Sequence, residues 1–274
     1  MPRSMWKGAI TFGMVTIPVK LYNGTEAKDI SFRQVHEDDG GRIRYKRVCE
    51  VCGEEIEYAD IAKGYEASDG RMAVLTKSDL DELPLPTAKS VDVLAFVDSD
   101  QIDPVYFDRT YVLEADGPGA KPYVLLRDAM ISSGRDAVVK IAIRTRESLA
   151  LIRVRDEVLV LQTMLWPDEV RDVSFAAPPE EVTATKAEVK MAEQFIEALA
   201  SEWEPENYTD SYREAVEELV EAKLDGVELP SGEAPAESEV VDLVAALRAS
   251  VEAAKQRRAE EAEAAKKSTK KAAS

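Results

Sequence analysis

Four residues in the first fifth of the chain could do metal chemistry. Cys49 and Cys52 stand in VCEVCGEEIEY, a Cys-x-x-Cys-Gly turn that aims two thiolates at one ion, half of a zinc ribbon. A closed tetrahedral site needs two more ligands, and the chain has no other cysteine. Its one histidine, His36, and the neighbouring Asp39 lie at the turn Asp38-Asp39-Gly40-Gly41. His36, Asp39, Cys49 and Cys52 are therefore the set that could hold a structural zinc; the competing reading is a metal-free knuckle held by the hairpin. Catalysis is weaker than either. No helix obviously begins at the cysteines to depress a thiol pKa, and no orienting third group accompanies a Cys–His pair. The chain is not expected to be an enzyme, and no cofactor is required.

The second chemistry is phosphate binding. Arg42, Arg44 and Lys46 share one face of the run RIRYKR, with Arg47 at its end. In VVKIAIRTRESLALIRVRDEVLVLQTMLW, apolar Val139, Ile141 and Ile143 alternate with Lys140, Ala142, Arg144 and Arg146. After a polar break at 146–148, Ile152 and Val154 alternate with Leu151, Arg153 and Arg155. Successive strand side chains point to opposite faces, so the pattern predicts two strands with one apolar and one arginine-rich face. A guanidinium is planar, always charged and bidentate, which suits phosphate. The bland alternative is a solvated outer sheet face, the usual place for Lys and Arg.

The elements that must position these residues are mostly short strands. Strands are predicted at 9–12 and 15–22, with Pro18 demoting the second to an edge or a bulge. Residues 30–35 and 42–47 read as a hairpin across the Asp-Gly turn. A short helix is expected within 58–68, a strand at 71–76, and a helical turn at 77–83 capped by Ser78 and closed by Pro84. Ser90–Val97 alternates Val91, Val93 and Ala95 against Asp92, Leu94 and Phe96. A strand at 109–114 and an apolar helix at 123–133 follow. Asp156 and Glu157 make a turn before 158–165, which is almost wholly apolar and so buried on both faces. Many short strands with few helices suggest a β-barrel or sandwich. Thr185-Lys186-Ala187-Glu188 is a capping box for a helix carrying Val189, Ala192, Phe195, Ile196 and Leu199; a second helix, about 210–224, ends at Asp225-Gly226.

Composition sets the limits. The chain has 274 residues, is 45% hydrophobic and carries a net charge of −18. It has no apolar run long enough to cross a membrane and no apolar signal-peptide core at its N-terminus. Two closely spaced cysteines do not staple a fold, so a reducing cytosol is expected. The charge argues against nucleic acid only until its distribution is read. Between Glu180 and Asp242, nineteen acids face four bases, a net of −15. The remainder is near balance, with basic patches at 42–47, at 140–155 and in Lys266-Lys267-Ser268-Thr269-Lys270-Lys271. Local potential within a Debye length of about 8–10 Å decides where phosphate binds. The division expected is a core at 1–178 that carries the basic strand faces, an acidic helical segment at 179–229, a linker at 230–238, and at 239–274 an amphipathic helix suited to a partner groove with a lysine-rich tail.

Several segments, in order, resemble one family. WKGAITFGMVTIPVKLYNGTE, RIRYKRVCEVCGEEIEY with DIAKGYE, FDRTYVLE, MLWPDEVRD and KAEVKMAEQFIEAL together span roughly residues 6–226 and are similar to bacterial Ku, which binds DNA ends in non-homologous end joining. The resemblance implies a mixed α+β fold: a Ku-type β-barrel with a bridging arm, then C-terminal helices. It implies a homodimer whose barrels and arms form a ring threaded by double-stranded DNA ends with little sequence readout. It implies recruitment of the ATP-dependent DNA ligase D through the C-terminal region, and a nucleoid-associated, cytoplasmic location. The arginine faces would then touch phosphates. Other members carry a fuller cysteine set ahead of the Cys-x-x-Cys, and Asp39 stands where one of those would be, so the chain departs from the family at the zinc. The rival expectation is a protein-interaction adaptor with only non-specific DNA affinity.

Overall fold

The structure, a computed structural model, describes residues 3–83, 89–143, 146–227, 250, 252–253 and 256. Pro84, Arg144, the linker, most of the 239–254 stretch and the lysine tail lie outside the described residues. The chain divides into two compact units, Met1–Asp172 and Val173–Ser274.

The first unit contains nine strands among its described residues: β1 (Trp6–Phe12), β2 (Val15–Asn23), β3 (Lys63–Glu66), β4 (Met72–Leu75), β5 (Ser90–Asp98), β6 (Phe107–Ala115), β7 (Arg135–Ile143), β8 (Arg146–Arg155) and β9 (Val158–Met164). It also holds helices α1 (Lys77–Asp81) and α2 (Ala120–Ser133). Seven strands close into a barrel in the order β1-β2-β6-β9-β8-β7-β5, and the parallel pair β1/β5 makes the closing seam. Inward side chains such as Ile10, Leu21, Val139, Ile141, Ile152 and Leu161 are fully buried.

α2 plugs one end of the barrel with Tyr123, Leu126 and Met130. Its phenol joins the ladder itself. The Tyr123 hydroxyl donates to the Leu113 carbonyl at 2.8 Å and accepts from the Leu159 N–H at 2.7 Å. Leu113 and Leu159 are opposite partners on β6 and β9, so the hydroxyl stands in for a rung. α2 ends at Gly134, whose φ of 65° is the left-handed cap that glycine adopts without a Cβ penalty. Asp156 and Glu157 form the β8–β9 turn with φ of 48° and 68°, the primed geometry that matches strand twist.

At the other end, the Trp6 indole N–H donates to the Ala142 carbonyl at 3.0 Å. Trp6 thereby reaches across the seam, past the start of β5, to β7. A Cβ on Gly8 would meet the Trp6 ring at 2.1 Å and the Lys89 carbonyl oxygen at 2.4 Å, so glycine is what lets the indole fold down.

Several sequence expectations are corrected. Pro18 does not mark an edge: β2 pairs with both β1 and β6, and Pro18 sits one residue outside the β2/β6 ladder, where no N–H is needed. β5 does not alternate throughout. A bulge between Val93 and Ala95 reverses the faces, so Leu94 is exposed and Phe96 packs on the core, edge-on to Phe12 at 5.5 Å. Thr76, not Ser78, caps α1, in a capping box with Asp79. The helix expected within 58–68 is a single 3₁₀ turn, Tyr58–Asp60, and β3 follows it.

Residues 24–89 form the arm between β2 and β5. The run at 42–47 is not a regular strand: the expected hairpin reduces to one bridge, Val35 to Arg42, around a turn closed by His36 N–H to the Gly41 carbonyl at 2.8 Å. A second turn is held by the Val48–Glu55 bridge and by Gly53 N–H to the Cys49 carbonyl. β3 and β4 pair with each other alone, and every residue in them is exposed.

The second unit holds α3 (Lys186–Leu199) and α4 (Ser211–Asp225). α3 starts at the Thr185–Glu188 capping box, and α4 starts at Asp210 and ends at left-handed Gly226, as the sequence predicts.

Candidate nucleic-acid interface

The arm cations stand in solvent. Arg42 and Arg44 are exposed, and no carboxylate among the described residues pairs with either. Lys46 pairs with Glu55 at 2.6 Å across the second turn, and the Arg47 guanidinium lies 5.3 Å from the Tyr58 ring centre. The backbone bridge from Arg42 to Val35 fixes where this basic run leaves the first turn.

The barrel cations are arranged differently from the even row that alternation predicts. Lys140 and Arg153 do share the outer face. Each is folded against a ring and a carboxylate: Lys140 over Trp166 at 5.3 Å with Glu147 at 3.5 Å, Arg153 over Phe107 at 5.1 Å with Asp136 at 3.7 Å. Asp136 is itself nearly buried and accepts the Ser99 hydroxyl at 2.7 Å. The segments after β5 and β9 thus cross part of this face and hold its cations down. The Arg153 Nε is buried without a hydrogen-bond partner. Arg155 is exposed beside Asp156 at 3.4 Å.

Arg146 belongs to the other face. It pairs opposite Ile143, which packs on the core, so two intervening residues place it on the inward side of β8 at the barrel's open end. Its guanidinium donates to Glu169 at 2.8 Å. The expectation that Arg146 continues the Lys140 row fails because hairpin register, not spacing along one strand, sets its face.

The open end is a cavity of about 590 Å³. Arg109, Tyr111, Arg146, Ser148 and Thr163 line it, and Glu169 stands at its rim with Arg146. Arg109 escaped the sequence reading because it is a single cation in FDRTYVLE with no basic neighbour. Its face follows from alternation with the core residues Tyr111 and Leu113; that this face opens into a cavity is tertiary. β6 carries one extra residue between Phe107 and Thr110, and the buried Thr163 hydroxyl accepts the Arg109 N–H at 3.0 Å.

The four candidate zinc ligands do not converge. His36 faces its own turn, with Nδ1 3.1 Å from Asp39 and Nε2 3.5 Å from Asp38. Cys49 and Cys52 face each other in the second turn. The Cys49 thiol is held below its ordinary pKa by the N–H groups of Cys52 and Val51 and by the Cys52 thiol. Asp39 is lowered by the Gly41 N–H and by His36. Among the described residues, no three His, Cys, Asp or Glu side chains form a metal-holding group. The set proposed from sequence does not fit a zinc site, because each local turn satisfies its own polar groups.

A closed seven-stranded barrel with an arm inserted between its second strand and its parallel seam defines a class. The family model described as the Ku70/Ku80 beta-barrel domain matches residues 11–191. The chain is 52% identical over 263 residues to the non-homologous end joining protein Ku of Frankia casuarinae, covering 95% of this chain and 66% of that protein. The same-named protein of Mycolicibacterium smegmatis is 46% identical, covering 92% and 83%; that of Mycobacterium tuberculosis H37Rv is 42% identical, covering 92% and 95%. The chain belongs to the Ku family. The family is structural and not one of enzymes, in line with the sequence reading. No helix among the described residues is long and apolar enough to cross a membrane.

Proposed function

We propose that the chain binds double-stranded DNA ends without reading sequence, as a homodimeric ring, and recruits the ATP-dependent ligase D in non-homologous end joining. The observation that carries this reading is identity of 42–52%, over more than nine-tenths of the chain, to proteins named for that process. The arm supports it in two ways. Arg42 and Arg44 present uncompensated charge. Phe32, Tyr45, Tyr65, Met72 and Val74 are more than half exposed on a segment whose only sheet among the described residues is two-stranded. An isolated two-stranded sheet is marginal in water, so a second copy of the arm is the natural cover. The carboxylates paired with Lys140, Arg146 and Arg155 do not argue against phosphate contact, since surface ion pairs contribute little and exchange partners readily. Ligase recruitment falls to the C-terminal region.

The test is binding to one sequence in two forms, linear and covalently closed circular, across a salt series. Binding to the linear form alone, weakening steeply with salt, is expected. Equal binding to both would replace threading with a surface patch, and binding to neither would favour the adaptor.

A further inference from the structure

The open end of the barrel offers a site of which the reading above uses only Arg146. Two of its four charged groups are a matched pair, Arg146 and Glu169 at 2.8 Å. Glu169 is further occupied by the Trp166 N–H at 2.8 Å. Asp108 accepts the Thr163 hydroxyl at 3.3 Å. Neither Asp108 nor Arg109 has an ion pair among the described residues, and Arg109 is the cation of the mouth whose guanidinium is exposed and engaged by no carboxylate. Its placement is built rather than incidental. Alternation with the core residues Tyr111 and Leu113 puts it on the inner face of β6, and the nearly buried Thr163 hydroxyl holds its N–H beside the bulge. Asn23 and Ser148 add neutral hydrogen-bonding groups, and about 590 Å³ leaves room for more than a bare ion.

We propose that this mouth binds a phosphorylated nucleotide unit, with its phosphate on the Arg109 guanidinium. A planar fork without a carboxylate partner is the group that phosphate recognises bidentately. Arg146 lines the same cavity. The unit could be part of a DNA strand or a free nucleotide; the chemistry is the same, and the experiment separates the two. Only the DNA arm rests on the end-binding reading.

The first arm titrates the full chain with AMP and with adenosine, followed by calorimetry. Binding of AMP but not adenosine is expected, weakened roughly tenfold in R109Q and partly restored in R109K, since one charge-assisted bidentate contact is lost and then half replaced. The second arm measures linear duplex binding against salt. If the mouth takes a DNA phosphate, R109Q lowers the slope of log K against log salt by about 1. AMP binding with an unchanged DNA slope assigns the site to free nucleotide. A changed slope without AMP binding assigns it to the DNA strand. No AMP binding and an unchanged slope, with R109Q melting like the wild type, overturns the proposal. Loss of DNA binding by the wild type would sink the end-binding reading and leave the AMP arm to decide this one.

Discussion

Replacing Tyr123 by Phe removes one oxygen and nothing else. The ring volume stays, so no cavity opens, and the change isolates the hydroxyl that bridges β6 and β9. Tyr123 is 7% exposed, Leu113 1% and Leu159 0%, so water does not replace the lost partner. A buried N–H left unpaired costs about 1–3 kcal/mol, and the Leu113 carbonyl, with a second lone pair, adds less; the expected total is about 2–4 kcal/mol. For a unit of this size, 1 kcal/mol moves the melting temperature by roughly 2–4 °C, so a fall of roughly 4–16 °C is expected. Thermal and urea unfolding followed by tryptophan fluorescence would measure it, with an unchanged urea dependence showing that the unfolded state is unaltered. The same hydroxyl sets a pH signature. Burial is the largest cause raising the Tyr123 pKa, partly opposed by the Leu159 N–H and by Arg127. A raised folded pKa means that the unfolded state loses its proton first. This stability is therefore fully present below about pH 10 and is lost as pH rises through the folded value. Tyr22 is also raised, through its hydrogen bond to Glu114, so the comparison belongs in a Y22F background. A melting shift under about 2 °C would refute the reasoning. It would mean that β6 and β9 close to form a direct Leu159–Leu113 bond once the phenol is gone.

Two further outcomes follow from local geometry. G8A should destabilise by about 1–3 kcal/mol or more, because its methyl would sit inside van der Waals contact with the Trp6 indole and the Lys89 carbonyl; a wild-type melting curve with unshifted tryptophan emission would contradict this. Cys49 should react with iodoacetamide faster than a free thiol near neutral pH, since N–H groups in its turn stabilise the thiolate; peptide mass spectrometry showing ordinary rates would contradict this.

Strand existence was readable wherever one face is buried. Alternation at β7 and β8, the Asp156–Glu157 turn and the almost wholly apolar β9 are local signals, and the structure keeps them. Helix starts at Thr185 and Asp210 were readable because a cap is a contact between near neighbours. Five segments in order, from WKGAITFGMVTIPVKLYNGTE to KAEVKMAEQFIEAL, together pointed to the family that the family model matches. The arm was less legible: the basic run at 42–47 looks like a strand, yet with no partner ladder it forms one bridge.

Sequence alone therefore fixed which residues are apolar, which are charged, and where short-range turns and caps fall. Register and closure decided the rest. A one-residue bulge in β5 turned Phe96 inward, and the β7–β8 pairing turned Arg146 from the outer row into the barrel mouth. Barrel closure made the inner face of β6 at Arg109, unremarkable in sequence, a wall of the same cavity. Each of these outcomes depends on which residues pair across strands or on how the barrel closes, and a side-chain period of two reverses its face whenever such a pairing gains or loses one residue.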